Sequence, residues 1–247
     1  MVQLPRQQFI YPSGEIIARD FDGTDDKLDV AAVPVSASPI TLAAWFESDS
    51  ATAVQVLVAI GDTATNDEEL ALVASGDLAG DPILLSDRSG AGTTTVASTT
   101  GYTVGRWHHA CGIKRNANDR SAYIDGGSRG NDVSNQPDAS GLDTIRIGVR
   151  ARLTQSLWFN GRIAEVAIWN VALNDEEISQ LAGGALPKDV RPESLVGYWA
   201  LCGRQSPEPD TSRNTNHMVI TGAAQANHPG HLARSCLRSR GLLGVGV

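Results

Sequence analysis

The chain has 247 residues, 41% hydrophobic, 19% charged and 5% aromatic, with a formal net charge of -8. That apolar share excludes disorder along the whole chain, and no apolar run reaches the roughly 18–20 residues of a membrane-spanning helix. The length suits one β-sandwich or barrel, or at most two small domains, with a core that needs no disulfide framework.

Residues 1–14, with Pro5 and the turn-like Pro12-Ser13-Gly14, read as an N-terminal arm. Short β-rich runs follow at 40–46, 54–60, 69–73 and 82–85, separated by turn clusters at the spacing of an all-β sandwich. A hairpin is expected over 107–124, joined by Asn116-Ala117-Asn118-Asp119 and closed by Asp125-Gly126-Gly127, residues that accept the positive φ of tight turns. Further strands are expected at 144–150 and 162–169, and the latter is partly apolar on both faces, which places it centrally in a sheet.

Helix signals converge at a single place. Asn174 is an N-cap, Asp175 and Glu176 place negative charge in the first turn, and Glu177 completes a capping box. Leu173 and Ile178 stand at the staple positions, and Gly183-Gly184 ends the helix. Residues 194–199 and 216–221 turn β-like again. One helix among so many strands excludes a doubly wound α/β sheet, and no phosphate-binding glycine motif is present.

Charge divides the chain further. Residues 1–210 carry 16 basic and 28 acidic side chains, whereas residues 211–247 carry four arginines and no acid. Residues 226–247 therefore read as a basic C-terminal arm behind one domain at 15–225. The N-terminus lacks the apolar run and cleavage site of a secretory signal, which predicts synthesis in a cytoplasm. The odd count of cysteines (Cys111, Cys202, Cys236) argues against a disulfide framework and leaves room for one bridge.

Several motifs fall in a familiar order: Phe21-Asp22-Gly23-Thr24-Asp25-Asp26, Ile40 to Trp45, Gly105-Arg106-Trp107-His108-His109, Ala122 to Gly126, Ile145 to Gly148, and Phe159-Asn160-Gly161-Arg162 running on to Trp169. With the capped helix and Leu195 to Trp199, they resemble successive strands of the laminin G-like, concanavalin A-like lectin-glucanase jelly roll, a domain also found in phage structural proteins. The resemblance covers about residues 15–222. It implies an all-β, two-sheet antiparallel sandwich with one short surface helix, and it places Trp45, Trp107, Trp169 and Trp199 in the core. Function does not follow from it, because the fold serves lectins, adhesion modules, glycosidases and virion proteins alike.

The candidate sites are weighed on their residues. Catalysis by paired carboxylates finds only the start of the glucanase pattern, Glu47-Ser48-Asp49, without its third acid, so no catalytic residue is assigned. Asp22, Asp25 and Asp26 place three carboxylates in five residues, a hard-oxygen set that suits calcium, as related domains often hold; Asp62 and Asp67 form a weaker alternative. His108 and His109, adjacent in a strand, point to opposite faces and cannot chelate one ion together; one is expected to hold a buried hydrogen bond and the other to be exposed. For glycan stacking, Trp158 with Asn160 in a pre-strand loop, and Tyr102, are the candidates.

The C-terminal arm interleaves Arg234, Arg238 and Arg240 with Leu237 and Leu242, which suits docking on protein. Nucleic acid is disfavoured by the acidic body and the absence of aromatic residues in the tail, and no membrane partner is indicated. The leading expectation is a non-enzymatic structural module of a phage or virus particle, a decoration protein anchored by its arms to a capsid protein and to copies of itself. The alternative is a glycan-binding, lectin-like adhesion domain, with or without calcium; no cofactor is assigned.

Overall fold

The computed structural model describes residues 17–90, 92–202 and 206–227. Its elements are β1 (Ile17–Asp22), β2 (Lys27–Val30), β3 (Ile40–Ser48), β4 (Val54–Gly61), β5 (Glu69–Ser75), β6 (Pro82–Ser89) and β7 (Gly92–Gly101). Then come β8 (His108–Asn116), β9 (Asp119–Ile124), β10 (Gly127–Asp132), β11 (Thr144–Ile147), β12 (Asn160–Trp169), α1 (Asp175–Ala182), β13 (Leu195–Trp199), β14 (Val219–Thr221) and β15 (Ala224–Asn227). Residues 1–14 and 228–247, with Arg234, Leu237, Arg238, Arg240 and Leu242, lie outside the described residues, while Ala226 and Asn227, the first residues of the expected C-terminal arm, end β15. No described helix is long and apolar enough to cross a membrane.

The strands form two antiparallel sheets, a jelly-roll sandwich. Sheet A runs β10-β9-β8-β3-β12-β1-β15, with β13 also on β12, and sheet B runs β14-β2-β11-β4-β5-β6-β7. β12 is central, as its two apolar faces require: it pairs with β3, β1 and β13. Alternation along the strands sends Phe21, Leu42, Phe46, Leu57, Leu72 and Ile163 into the space between the sheets, where each buried side chain contributes about 1.5–3 kcal/mol.

Two further layers close the outer surfaces. α1 lies on the outer face of sheet A, packing Ile178 and Leu181 against Cys111, Tyr123 and Trp169. Its capping box is formed as expected, with Asn174 accepting from Glu177 N and Glu177 accepting from Asn174 N. The connection between β11 and β12 folds back over sheet B, laying Ala151 and Leu157 on Val56, Ala59, Ala71 and Val73. Between the sheets, an ionic cluster replaces apolar packing: Lys114 Nζ lies 2.8 Å from Asp87 Oδ2, and Arg120 Nη1 lies 3.4 Å from the same oxygen. All three side chains are buried, and burial raises the Asp87 pKa even though Lys114 and Arg120 pull it down.

Two expectations are corrected. Trp169 and Trp199 are fully buried, but Trp107 is only partly buried and packs on the outer face of sheet A with Trp45, Ala18 and Ala164, because it precedes β8 rather than lying in it. The histidines do face opposite ways, yet the hydrogen-bonded one is His108, which donates from Nδ1 to Asp125 Oδ2 at 2.7 Å and accepts Thr103 N at Nε2. His109 is the buried one; its ring packs edge-on against Trp45, and its Nδ1 has no hydrogen-bond partner among the described residues. Cys111 is free and buried, and Cys202 is disulfide-bonded.

Candidate functional site

β1 ends in sheet A and β2 begins in sheet B, so the turn Gly23–Asp26 spans one end of the sandwich. Here Asp22, Asp25 and Asp26 converge: one carboxylate oxygen from each lies within 4.8 Å of the others. Local hydrogen bonds hold the turn. Asp22 Oδ1 accepts Thr24 N at 2.8 Å and Asp25 N at 3.4 Å, and Asp26 Oδ2 accepts Asp22 N at 3.0 Å. Asp22 Oδ2, Asp26 Oδ1 and both oxygens of Asp25 receive no hydrogen bond from the described residues.

The cluster is electrostatically crowded. The Asp26 pKa is raised, first by burial and then by the negative charges of Asp22, Asp25 and Asp20, against the opposing hydrogen bond from Asp22 N. Asp26 also occupies space that only a glycine leaves. A Cβ on Gly222, in the β14–β15 turn at φ +70°, would stand 1.6 Å from Asp26 Oδ1. Three oxygen donors at the rim, two of them exposed, match the chemistry of a hard divalent cation that completes its shell with further oxygens.

Asn160 joins this cluster. In the β1–β12 ladder it stands directly opposite Asp22, as Arg162 stands opposite Asp20. Side chains so paired share a face with Cβ atoms about 4.5–5.5 Å apart. The Asn160 Cβ lies 3.0 Å from where a Cβ on Gly23 would be, and the Asn160 carbonyl accepts Asp49 N. Trp158, two residues earlier, is half-buried. The carboxylates and the amide, read separately from sequence, thus form one patch, with Trp158 on the segment leading into it. Asp20 and Gly222 are additions to it; Asp20 was legible as the residue two before Asp22 on the same strand face.

Tyr102 does not belong to the patch. Its ring packs edge-on against Phe46 at 5.4 Å, its hydroxyl donates to the Ser50 carbonyl at 2.8 Å, and only 4% of the residue is exposed. Asp67 is held by Arg88 at 2.6 Å and Asp62 Oδ1 accepts Ala64 N, so the weaker cation alternative has its carboxylates engaged elsewhere. Other acids of interest are similarly committed: Glu47 to Arg162 at 3.0 Å, Glu69 to Arg150 and Ala151 N, and Glu177 to the helix cap and Arg191.

A family model described as the concanavalin A-like lectin/glucanases superfamily matches residues 22–179. No curated protein sequence matches the chain. Among solved structures, it is similar to a native heptameric SAP-like pentraxin from Limulus polyphemus, at 13% identity over 89% of this chain and 97% of that one, with a TM-score of 0.64. It is similar to domain 4 of a GH43 extracellular arabinanase from Geobacillus stearothermophilus, solved with arabinotriose, at 20% identity over 67% of this chain and 76% of that one, TM-score 0.55. A third is the sialidase CBM40 of Ruminococcus gnavus bound to α2,3-sialyllactose, at 13% identity over 69% of this chain and 100% of that one, TM-score 0.51. The matched span runs from the Asp22 turn into α1 and takes in the whole of the patch except Asp20 and Gly222, and on that match the chain belongs to the concanavalin A-like lectin/glucanases superfamily.

Proposed function

We propose that this protein is a non-catalytic, lectin-like glycan-binding module whose sugar site lies at the β1–β2 end of the sandwich, beside a divalent-cation site. The observation that carries the reading is the register of β1 on β12, which sets the Asn160 amide on the same face as Asp22 and within reach of the three-carboxylate cluster. A cation bound there supplies positive charge and open coordination positions for hydroxyls. The chain's own residues do the rest: Asn160 offers both a donor and an acceptor to a hydroxyl, and the half-buried Trp158, two residues before it, is the aromatic residue placed to meet the C–H face of a pyranose.

Two of the structures named above hold a sugar, which supports this reading over particle decoration. Decoration rests on Arg234, Leu237, Arg238, Arg240 and Leu242, which lie outside the described residues, and it has no observation of its own. The engagement of Glu47, Glu69 and Glu177 with basic or backbone groups supports a binding rather than a hydrolytic role.

The test is a glycan array probed in calcium and in EDTA, with the full chain and with Asn160→Ala. A defined set of sugars retained only in calcium, and lost in the variant, is expected, whatever the protein retains in both buffers. A silent array in both buffers sinks the proposal.

A further inference from the structure

We propose that the concavity at the N-terminal end of α1 is a second binding site, for an uncharged saccharide, that works without a cation. This rests on the reading of the chain as a glycan binder, but it uses other residues at another place. It is a shallow, open depression lined by Arg115, Arg129, Asn174, Asp175 and Glu176, with Ala172 and Leu173. It lies where β8, β9 and β10 meet α1, three to five strand spacings from β1, or about 14–24 Å, too far for one monosaccharide to touch both sites.

Its walls are held before any ligand arrives. Tyr123, 1% exposed, donates its hydroxyl to Asp175 Oδ1 at 2.7 Å and accepts Arg115 Nη2 at 3.3 Å. Arg115 Nη1 is fixed by Asp119 at 3.2 Å and Ser121 Oγ at 2.7 Å. The capping box fixes the first turn of α1. Three elements distant in sequence therefore present their polar groups with little freedom, which lowers the ordering cost of binding.

The groups left over define the ligand. Arg129 donates from Nε to Asn131 Oδ1 at 2.6 Å, but its Nη1 meets the two Asp175 oxygens only at 3.5 Å each, beyond good hydrogen-bond length. Arg129 Nη2 and the Glu176 carboxylate have no hydrogen-bond partner among the described residues. The two arginines are balanced by Asp175 and Glu176, so the lining has no net charge with which to select an anion or a cation. What it offers is guanidinium donors a few ångströms from carboxylate acceptors, over the small apolar floor of Ala172 and Leu173. A pair of vicinal hydroxyls, each both donor and acceptor, satisfies both sets at once and replaces only the long Arg129–Asp175 contacts.

The test is a two-dimensional amide NMR titration of the full chain with galactose, mannose and arabinose at millimolar concentration in EDTA, with glucuronate as the charged arm. Saturable shifts are expected at Ala172–Glu176 and Tyr123 for a neutral sugar and weaker ones for glucuronate. Arg129→Ala and Glu176→Gln, both on exposed side chains, should each lower the affinity about tenfold or more, as for loss of a charge-assisted hydrogen bond. No shift at these amides with any neutral sugar, a preference for glucuronate, or an affinity unchanged in both variants overturns the proposal. A groove that stays silent while Asn160 responds to sugar in calcium overturns this site alone. A responding groove beside a silent Asn160 supports this site and overturns the one at β1–β2.

Discussion

Substituting Asp25 by Asn should change the sign of its effect on stability when calcium is added. The three carboxylates present oxygens within 4.8 Å of one another, and two like charges at that distance in water repel by about 1 kcal/mol. Without a cation, removing the Asp25 charge therefore relieves repulsion, and a chain of this size gains roughly 2–4 °C in Tm per kcal/mol. With calcium at about 100 times its dissociation constant, the unsubstituted protein gains about 2.7 kcal/mol, or roughly 5–11 °C, from binding to the folded state alone. The variant has lost a ligand and gains little. Thermal unfolding in EDTA and in calcium should thus rank Asp25→Asn above the parent in the first buffer and below it in the second. Protons compete with the cation: because the folded pKa of Asp26 is raised, the folded chain takes up its proton first on acidification. In EDTA this favours the fold as pH falls, while the calcium-induced shift shrinks over the same range. Equal calcium shifts in parent and variant, or a variant that is less stable in EDTA, would refute the reasoning.

Other consequences follow from neighbouring residues. Gly222→Ala places a Cβ 1.6 Å from Asp26 Oδ1 at φ +70°, so a calcium titration should read weaker binding; unchanged affinity would mean that Asp26 is not a ligand. Burial lowers the His109 pKa to about 4, against a small opposing effect of Asp125. The unfolded chain, with an ordinary histidine, binds the proton first, so stability falls as pH drops from about 6.5 to 4, by about 3 kcal/mol. His109→Leu should flatten that part of the urea-midpoint profile, and an unaltered slope would assign it to other groups. Asp87→Ala leaves Lys114 and Arg120 buried without their shared partner and should cost about 3–5 kcal/mol in denaturant unfolding; a loss within error would show that their other partners, Asp138 beside Lys114 and Asp132 beside Arg120, suffice.

The legible part of the fold was the part with strong local patterning. β12 announces itself by apolar residues on both faces, and α1 by its capping box and staple. Strands with little to bury are not visible in this way: β7 buries only Val96 and Ser98 of its ten residues, β2 only Leu28, and β10 is Gly-Ser-Arg-Gly-Asn-Asp. They are strands because the ladder hydrogen-bonds them, not because their side chains demand it. The site divides similarly. Asp22, Asp25 and Asp26 meet because they share one turn, which is a local fact. Asn160 meets them only through the β1–β12 register, and the groove beside α1 needs β8, β9, β10 and α1 together. Tyr102 shows the opposite failure: an aromatic residue between strands suggests a sugar platform, but Phe46 and the Ser50 carbonyl absorb both its ring and its hydroxyl.

The central claim is that sugar and cation meet at Asn160. Its most direct test follows the Asn160 side-chain amide by NMR while calcium, and then a sugar retained on the array, are added to the full chain. The amide resonances should move with calcium and move again, saturably, with sugar, and EDTA should reverse both changes. If calcium shifts the backbone amides of Gly23–Asp26 while the Asn160 side chain ignores every sugar that the protein retains, the claim is contradicted.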